Sequence, residues 1–340
     1  GRPEAVLAIE RMVDQMAHEL NMDAVELRKK NFIPPEAFPY KTAMGVSYDS
    51  GDYGKALDRA MELAGYDELV RHRGERRGRG ELVGIGISTF VEPSGGLGFE
   101  SGVVRVERSG RITVVTGSSS HGQGHETVYA QLVADQLHVP FDHIRVLHGD
   151  TQATPLGTGT FGSRSAMTGG PALLMSSEKV VAKAKRIAAG MLEAAPDDIE
   201  LVDGGLAVTG TPEKKVPWQG VAMTAYMRPP QGEEPGLEAT SYFDTKGVSA
   251  WGFGAHIASV SVARDTGQLT IEKFVAVDDC GNVLNPMIVE GQVLGGLAQA
   301  FGQALLEEVI FDESGQTLTG SLMDYAVPRA EHMPHVILDH

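Results

Sequence analysis

Three short stretches bring together the residue types that hold an anionic ligand through backbone N–H groups. They are Thr116-Gly117-Ser118-Ser119-Ser120-His121-Gly122-Gln123-Gly124-His125, Gly157-Thr158-Gly159-Thr160-Phe161-Gly162-Ser163-Arg164-Ser165 and Asp278-Asp279-Cys280-Gly281-Asn282-Val283-Leu284-Asn285-Pro286. Each runs into a segment with helical periodicity. The first N–H groups of a helix lack partners within it, and the helix dipole adds to them, so these junctions attract a phosphate or carboxylate. Hydroxyls and amides in the same stretches add directional donors. Arg164 is the one fixed positive charge placed among them. A single junction of this kind is most often only a turn with a cap. Three in one chain point to a large, phosphate-bearing ligand held mainly by backbone.

Other chemistries fail on spacing. Gly122-Gln123-Gly124 opens a dinucleotide fingerprint, but position 127 is Thr, and no Walker lysine follows any of the three stretches. Glycines between His121 and His125 argue against a helical zinc pair, and His125-Glu126 lacks a second His at metalloprotease spacing. Ser118, Ser119 and Ser120 lack a nucleophile elbow. Cys280 reads either as a reactive thiol at a helix start or as a small buried residue.

The composition sets outer bounds. A net charge of −16 argues against a nucleic-acid binder, which needs a basic face. The 42% hydrophobic and 22% charged content is that of a globular chain, and 340 residues suggest about two domains. One cysteine excludes an internal disulfide and any four-thiolate iron–sulfur or zinc site within the chain. The 42 glycines imply many tight turns or close backbone approaches. No signal peptide or lipidation motif is visible, and the chain reads as a fragment of a longer one.

The elements that position the three stretches follow from periodicity. Val6, Ile9, Val13, Met16 and Leu20 predict an amphipathic helix over 4–20, and Asp23 caps a second helix to Lys30, with Glu26 at the capping-box position. A third helix fits 52–65, and the Gly- and Arg-rich run 71–79 reads as a solvated linker. Beyond Glu81 the pattern turns to strands: 82–91, a hairpin of 103–107 with 112–116, and 144–147. Helices fit 125–137 and 166–194, and a hairpin fits 199–209. A long hairpin pairs 257–263 with 269–277, and 286–308 is apolar nearly all round. Polar residues interrupt that last helix too often for a membrane span, so it reads as buried and closely packed through its glycines. Residues 336–340 read as a strand. Residues 102–137 and 256–308 share the order hairpin, polar turn, helix, which suggests an internal duplication.

Taken together, His121–His125, Gly162–Ser165 and Asp279–Pro286 resemble the molybdopterin-binding large subunit of the xanthine dehydrogenase, aldehyde oxidase and aerobic carbon monoxide dehydrogenase family. Met287–Val293, Gly1–Ala5 and Glu26–Asn31 are also family-like, and the likeness covers essentially the whole chain in the family's order. It implies an α+β (mixed α/β) fold with repeated hairpin–loop–helix units. Residues 1–75 would be the tail of a first molybdopterin-binding domain with its linker, and 80–340 a second such domain. It implies a molybdopterin cytosine dinucleotide contacted by Gln123, Gly124 and His125, by Phe161, Gly162, Ser163, Arg164 and Ser165, and by Cys280, Asn282, Asn285 and Gln292, with no direct ligand to the metal. Residues 92–99 resemble the segment lining the substrate channel, with Leu97 and Phe99 as its wall; a plain glycine-rich turn is the equal alternative, and nothing places Glu92 near the metal.

The implied reaction is hydroxylation of aldehydes, N-heterocycles or related small molecules by water, with electrons passed to [2Fe–2S] clusters and FAD. Those groups would sit on an iron–sulfur subunit and a flavin subunit, in a cytoplasmic dimer of heterotrimers. The family's catalytic glutamate, in a Gly-Val-Gly-Glu-like segment, is expected beyond His340, and a Gly-Gly-Gly-Phe-Gly-type loop before Gly1, so the chain alone is expected to be inactive. Leu294 stands where close relatives often carry His. The copper-loop cysteine of the carbon monoxide dehydrogenases belongs upstream of Gly1; oxidation of carbon monoxide is the alternative activity, and a non-catalytic cofactor-binding scaffold the alternative of another class. An unrelated nucleotide-dependent enzyme is disfavoured by the failed fingerprints.

Overall fold

The Asp23 carboxylate accepts hydrogen bonds from the N–H groups of Val25 (2.8 Å) and Glu26 (3.4 Å), starting a helix where the sequence predicts one. Asp52 does the same through Lys55 N at 3.1 Å. The computed structural model describes residues 2–154 and 156–340, so Gly1 of the family-like N-terminal segment lies outside the described residues. In chain order the elements are α1 (Arg2–Glu19), α2 (Ala24–Asn31), β1 (Tyr40–Lys41), β2 (Ser47–Tyr48), α3 (Tyr53–Ala64), α4 (Tyr66–Gly78), β3 (Leu82–Gly95), β4 (Phe99–Val106), β5 (Ile112–Thr116), α5 (His125–Leu137), β6 (Ile144–Leu147), α6 (Gly170–Leu192), β7 (Ile199–Val202), β8 (Gly205–Val208), β9 (Thr211–Pro217), α7 (Trp218–Met227), β10 (Glu238–Asp244), β11 (Ser249–Val262), β12 (Leu269–Asp279), α8 (Pro286–Leu305) and β13 (Val336–Asp339). They form two compact units, Gly1–Glu92 with Trp251–His340, and Pro93–Ala250. Compactness thus divides the chain within β3 and β11, a different partition from the expected boundary at 75–80.

In the first unit the sheet order is β13-β12-β11-β3. β11 and β12 pair antiparallel, and β13 lies parallel to β12 with Ala276 opposite Leu338. Ala56, Leu57, Ala60 and Ala64 of α3 bury one face against Phe253, Ile257, Val275 and Val277.

Three sequence expectations are corrected in this unit. Residues 71–78 belong to helix α4, not to a linker, with Arg79 just past its end. One contact remote in sequence and one local contact hold it: the Arg76 guanidinium pairs with Glu272 at 2.6 Å, and Arg77 donates to the Val83 carbonyl. α1 turns its apolar residues Val6, Ile9 and Met16 outward, and Leu20 just past its end is exposed too. Its inner face is polar instead, because the buried Arg28 draws in Glu10 (2.6 Å) and Asp14 (3.0 Å). α8 ends at Leu305 and buries only Leu297, Phe301 and Gly302. A Cβ on Gly291, Gly295 or Gly296 would meet nothing within 4 Å, so close packing does not account for those glycines.

In the second unit the main sheet has the order β10-β4-β5-β6, and a three-stranded sheet has the order β7-β8-β9. β4 and β5 form the predicted hairpin, with Glu107 N bonded to Arg111 O at 2.8 Å, and β6 runs parallel to β5. Val104, Val106, Ile112 and Val114 of the sheet pack with Tyr129, Val133 and Leu137 of α5 and with Leu173, Val180 and Ile187 of α6. β9, α7 and β10 were not anticipated from sequence. The predicted repeat is present in the topology. In β4-β5-α5-β6 and again in β11-β12-α8-β13, an antiparallel hairpin leads through a loop and helix to a strand parallel with the hairpin's second strand. The loops 117–124 and 280–285 therefore occupy equivalent positions, each between a central strand and a helix start.

Candidate functional site

Within the second unit the first two glycine-rich stretches are joined. Gly117 and Gly157 meet backbone to backbone, so a Cβ on Gly117 would run into the Gly157 Cα and the Glu100 carboxylate. Thr160 Oγ1 accepts a hydrogen bond from Ser119 N (2.9 Å) and bonds to Ser165 Oγ (3.1 Å). The Tyr129 hydroxyl donates to Ser165 O (3.0 Å) and also bonds to Ser118 Oγ (3.2 Å). Burial pushes its pKa up to about 12, so it stays a donor at neutral pH. Five residues at the start of α6, Ser165–Gly169, form a wider π-type turn, a distortion frequent at functional sites.

The start of α5 is open. Its N-cap is Gly124, in the left-handed region at φ 72°, and no side chain caps it. His125, the first helical residue, is 7% exposed, stacks against Tyr129 with centroids 5.4 Å apart, and has a buried Nδ1 without a partner. Burial holds its pKa below the usual histidine range, so it is a neutral imidazole. The Gln123 side chain turns back to accept from His121 N. Glu126 in the first turn bonds His148 Nε2 at 2.6 Å, which holds its carboxyl below the ordinary range. A Cβ on Gly122, Gly159 or Gly162 would meet nothing within 4 Å, so the loops leave open space beside the uncapped helix. Ser163 adopts φ 53°, left-handed without being glycine.

Arg164 is corrected. Its side chain is 0% exposed, donating from Nε to Leu97 O (2.9 Å), from Nη1 to Glu100 (2.9 Å) and Gly159 O (2.6 Å), and from Nη2 to Phe99 O (2.7 Å). Four of five N–H donors point into the protein, so the guanidinium braces the loops and offers no charge to a ligand. Phe161, 46% exposed, lies over that guanidinium at 5.4 Å. Leu97 is 60% exposed, whereas Phe99 packs edge-on against Tyr242. Glu92 belongs to the first unit, where it pairs with Arg2.

The third stretch also belongs to the first unit. Asn285 caps α8 by accepting from Ile288 N at 3.1 Å, and Asp279 accepts from Gly281 N at 2.9 Å. Asp278 is held by His256 Nε2 at 2.9 Å. Cys280 and Asn282 are exposed in the loop, and Gln292 is exposed on α8. Partial desolvation of its sulfur within the loop and the neighbouring Asp279 carboxylate push the Cys280 thiol up, which disfavours the reactive-thiolate reading. A cavity of ≈ 720 Å³ in this unit is lined by Asp52, Asp58, Glu62, Asp278, Asp279 and Asp339 together with Lys55 and Arg59, so carboxylates outnumber cations and disfavour a phosphate. Among the described residues no group of three or more His, Cys, Asp or Glu is arranged to hold a metal ion.

Sequence reasoning missed Glu100 and Tyr129, because each acts across a separation that only the fold closes. The one available signal for Glu100 was a carboxylate at the start of a strand that continues into Val103, Val104 and Val106.

An open helix start, an orphaned buried imidazole nitrogen and backbone-lined loops suit an anionic ligand held by N–H groups, set on a mixed α+β fold. Comparison with known proteins gives the family. Molybdopterin cofactor-binding domain models match residues 59–334 and 1–32. The carbon monoxide dehydrogenase large chain of Afipia carboxidovorans is 42% identical over 351 residues, covering 97% of this chain and 43% of its own length. The 6-hydroxypseudooxynicotine dehydrogenase complex subunit gamma of Paenarthrobacter nicotinovorans is 36% identical, covering 99% and 43%. The crystal structure of quinoline 2-oxidoreductase from Pseudomonas putida 86 superposes with TM-score 0.88 at 36% identity, covering 98% of this chain and 44% of that one. The chain belongs to the molybdopterin-binding large-subunit family of molybdenum hydroxylases. It spans under half the length of these relatives.

Proposed function

We propose that the chain is the part of a molybdenum hydroxylase catalytic subunit that holds a molybdopterin cytosine dinucleotide. The observation that carries this reading is the joint of Gly117, Gly157 and Glu100, which sets two open loops beside the uncapped start of α5. The N–H groups ahead of α5 and His125 Nδ1 would hold phosphate, with Gln123 and Gly124 beside them. Phe161, Gly162, Ser163 and Ser165 would line the second wall, and Arg164 would hold that wall in place from within. Cys280, Asn282, Asn285 and Gln292 would supply the contacts of the third stretch. Of the two expected substrate-wall residues, Leu97 is the one whose side chain is free to touch a substrate.

When bound, the cofactor supplies the two-electron redox chemistry by which a small molecule is hydroxylated with water as oxygen source. The substrate class is aldehydes or N-heterocycles. A second reading, oxidation of carbon monoxide, is favoured by the 42% identity to a carbon monoxide dehydrogenase large chain. Electrons would leave to [2Fe–2S] and FAD on partner subunits, since a cluster needs several thiolates and this chain has one cysteine. The matches to 59–334 and 1–32 support reading the chain as parts of two molybdopterin-binding domains.

The test is metal analysis of the full-length subunit purified with its partners, with acid release of CMP and dye reduction by an aldehyde, quinoline or carbon monoxide. Stoichiometric molybdenum, released CMP and dye reduction by an organic substrate are expected. Reduction by carbon monoxide alone would favour the second reading, and a folded subunit without molybdenum would mean a scaffold.

A further inference from the structure

Glu100, on β4, is the one fully buried carboxylate among the described residues. Its Oε1 accepts from Ser101 N at 3.0 Å, and its Oε2 accepts from Gly159 N (3.1 Å) and Arg164 Nη1 (2.9 Å). Arg164 Nη1 returns to Gly159 O at 2.6 Å, so Gly159 is gripped at both its N–H and its C=O. The same carboxylate fills the space that side chains on Gly117 and Gly157 would need. Both loops therefore take their position from one group on a strand, not from each other alone.

A buried ion pair contributes little to net stability, because desolvation offsets the attraction. What this one supplies is placement. Four donors of Arg164 and three acceptor contacts of Glu100 are fixed in direction. The pair is also neutral as a unit, so a phosphate beside it meets backbone dipoles and not a free guanidinium.

We infer that Glu100 is a positioning residue for the ligand cradle. Through Gly159 and Arg164 it sets the loop 157–165 against the loop 117–124, and it keeps the charge of Arg164 out of the ligand's field. This rests on the dinucleotide reading above, but its test does not need the ligand.

Hydrogen–deuterium exchange on the protein, comparing wild type with Glu100→Gln and Glu100→Asp, decides it. Glu100→Gln leaves Arg164 uncompensated, and amides in 118–124 and 158–165 are expected to exchange on the order of tenfold faster, with β7, β8 and β9 unchanged. Glu100→Asp keeps the charge but falls short of Gly159. It is expected to melt near wild type while its loop amides still exchange faster. Unchanged loop exchange in Glu100→Asp overturns the inference, as does an increase spread equally over β7–β9, which marks a purely structural role. If Glu100→Gln fails to fold, the Asp variant alone decides between these outcomes. Calorimetry with CDP as the probe tests the dinucleotide reading separately; failure of wild type to bind it would remove that reading and leave the exchange result standing.

Discussion

A methyl group on Gly157 would stand 2.5 Å from the Cα of Gly117, so the two loops approach as closely as bare backbone allows. Substitution at either position must part them. Gly157→Ala is expected to cost about 1–3 kcal/mol, the range for overpacking a rigid site, read as a lower urea midpoint at unchanged slope. Gly117→Ala should cost more, because its Cβ would come closer to the Glu100 carboxylate than a Cβ on Gly157 does. Molybdenum content of the full subunit should fall in both.

Local signals were legible where one short segment decides the outcome. Asp23 and Asn285 cap the helices the sequence assigns to them, and the two hairpins pair as expected. What escaped depends on partners far along the chain. α4 read as a linker because its long-range support comes from Glu272. Arg164 read as a ligand-facing charge because Glu100, which neutralises it, lies 64 residues earlier. α1 and α8 have sound helical patterns, but a pattern does not say which face is covered: most of the apolar face of α1 is exposed, and α8 leaves Met287, Leu294 and Leu305 outside.

His125 makes stability depend on pH in a fixed direction. Burial lowers its folded pKa below the ordinary 6.5, so the unfolded chain binds the proton more readily. Its contribution is complete above pH 6.5 and is lost as pH falls through the folded value. The melting temperature should drop on acidification below pH 6.5, and less steeply in His125→Gln. Equal slopes for the two proteins would show that other groups control the acid limb.

The Tyr129 hydroxyl ties α5 to both loops through Ser118 and Ser165. Tyr129→Phe keeps the ring and its packing against His125 but removes one of two donors to the Ser165 carbonyl, which keeps the Gly170 N–H. The expected cost is about 0.5–1.5 kcal/mol, that of one lost hydrogen bond. Faster amide exchange around Ser165, with the far end of α5 unchanged, would place the loss at the joint.

Two arginines show how burial decides the weight of an ion pair. The Arg105–Glu238 pair sits on exposed strand faces, and Arg105→Ala should cost no more than about 1 kcal/mol. Arg28 has a side chain only 2% exposed, grips Glu10 and Asp14 of α1, and donates to the carbonyls of Ala24 and Ile87. Its removal takes a donor from two carboxylates and two carbonyls at once, with only Arg11 left beside Asp14. Arg28→Met should therefore cost about 3 kcal/mol, near the lower end for breaking a buried pair, since both carboxylates keep some access to water. Because α1 buries only Ala17, the loss should appear first as detachment of that helix. Limited proteolysis should cut between α1 and α2 in Arg28→Met under conditions that leave wild type and Arg105→Ala intact. A variant that stays uncut would mean that α1 is held by contacts other than this clamp.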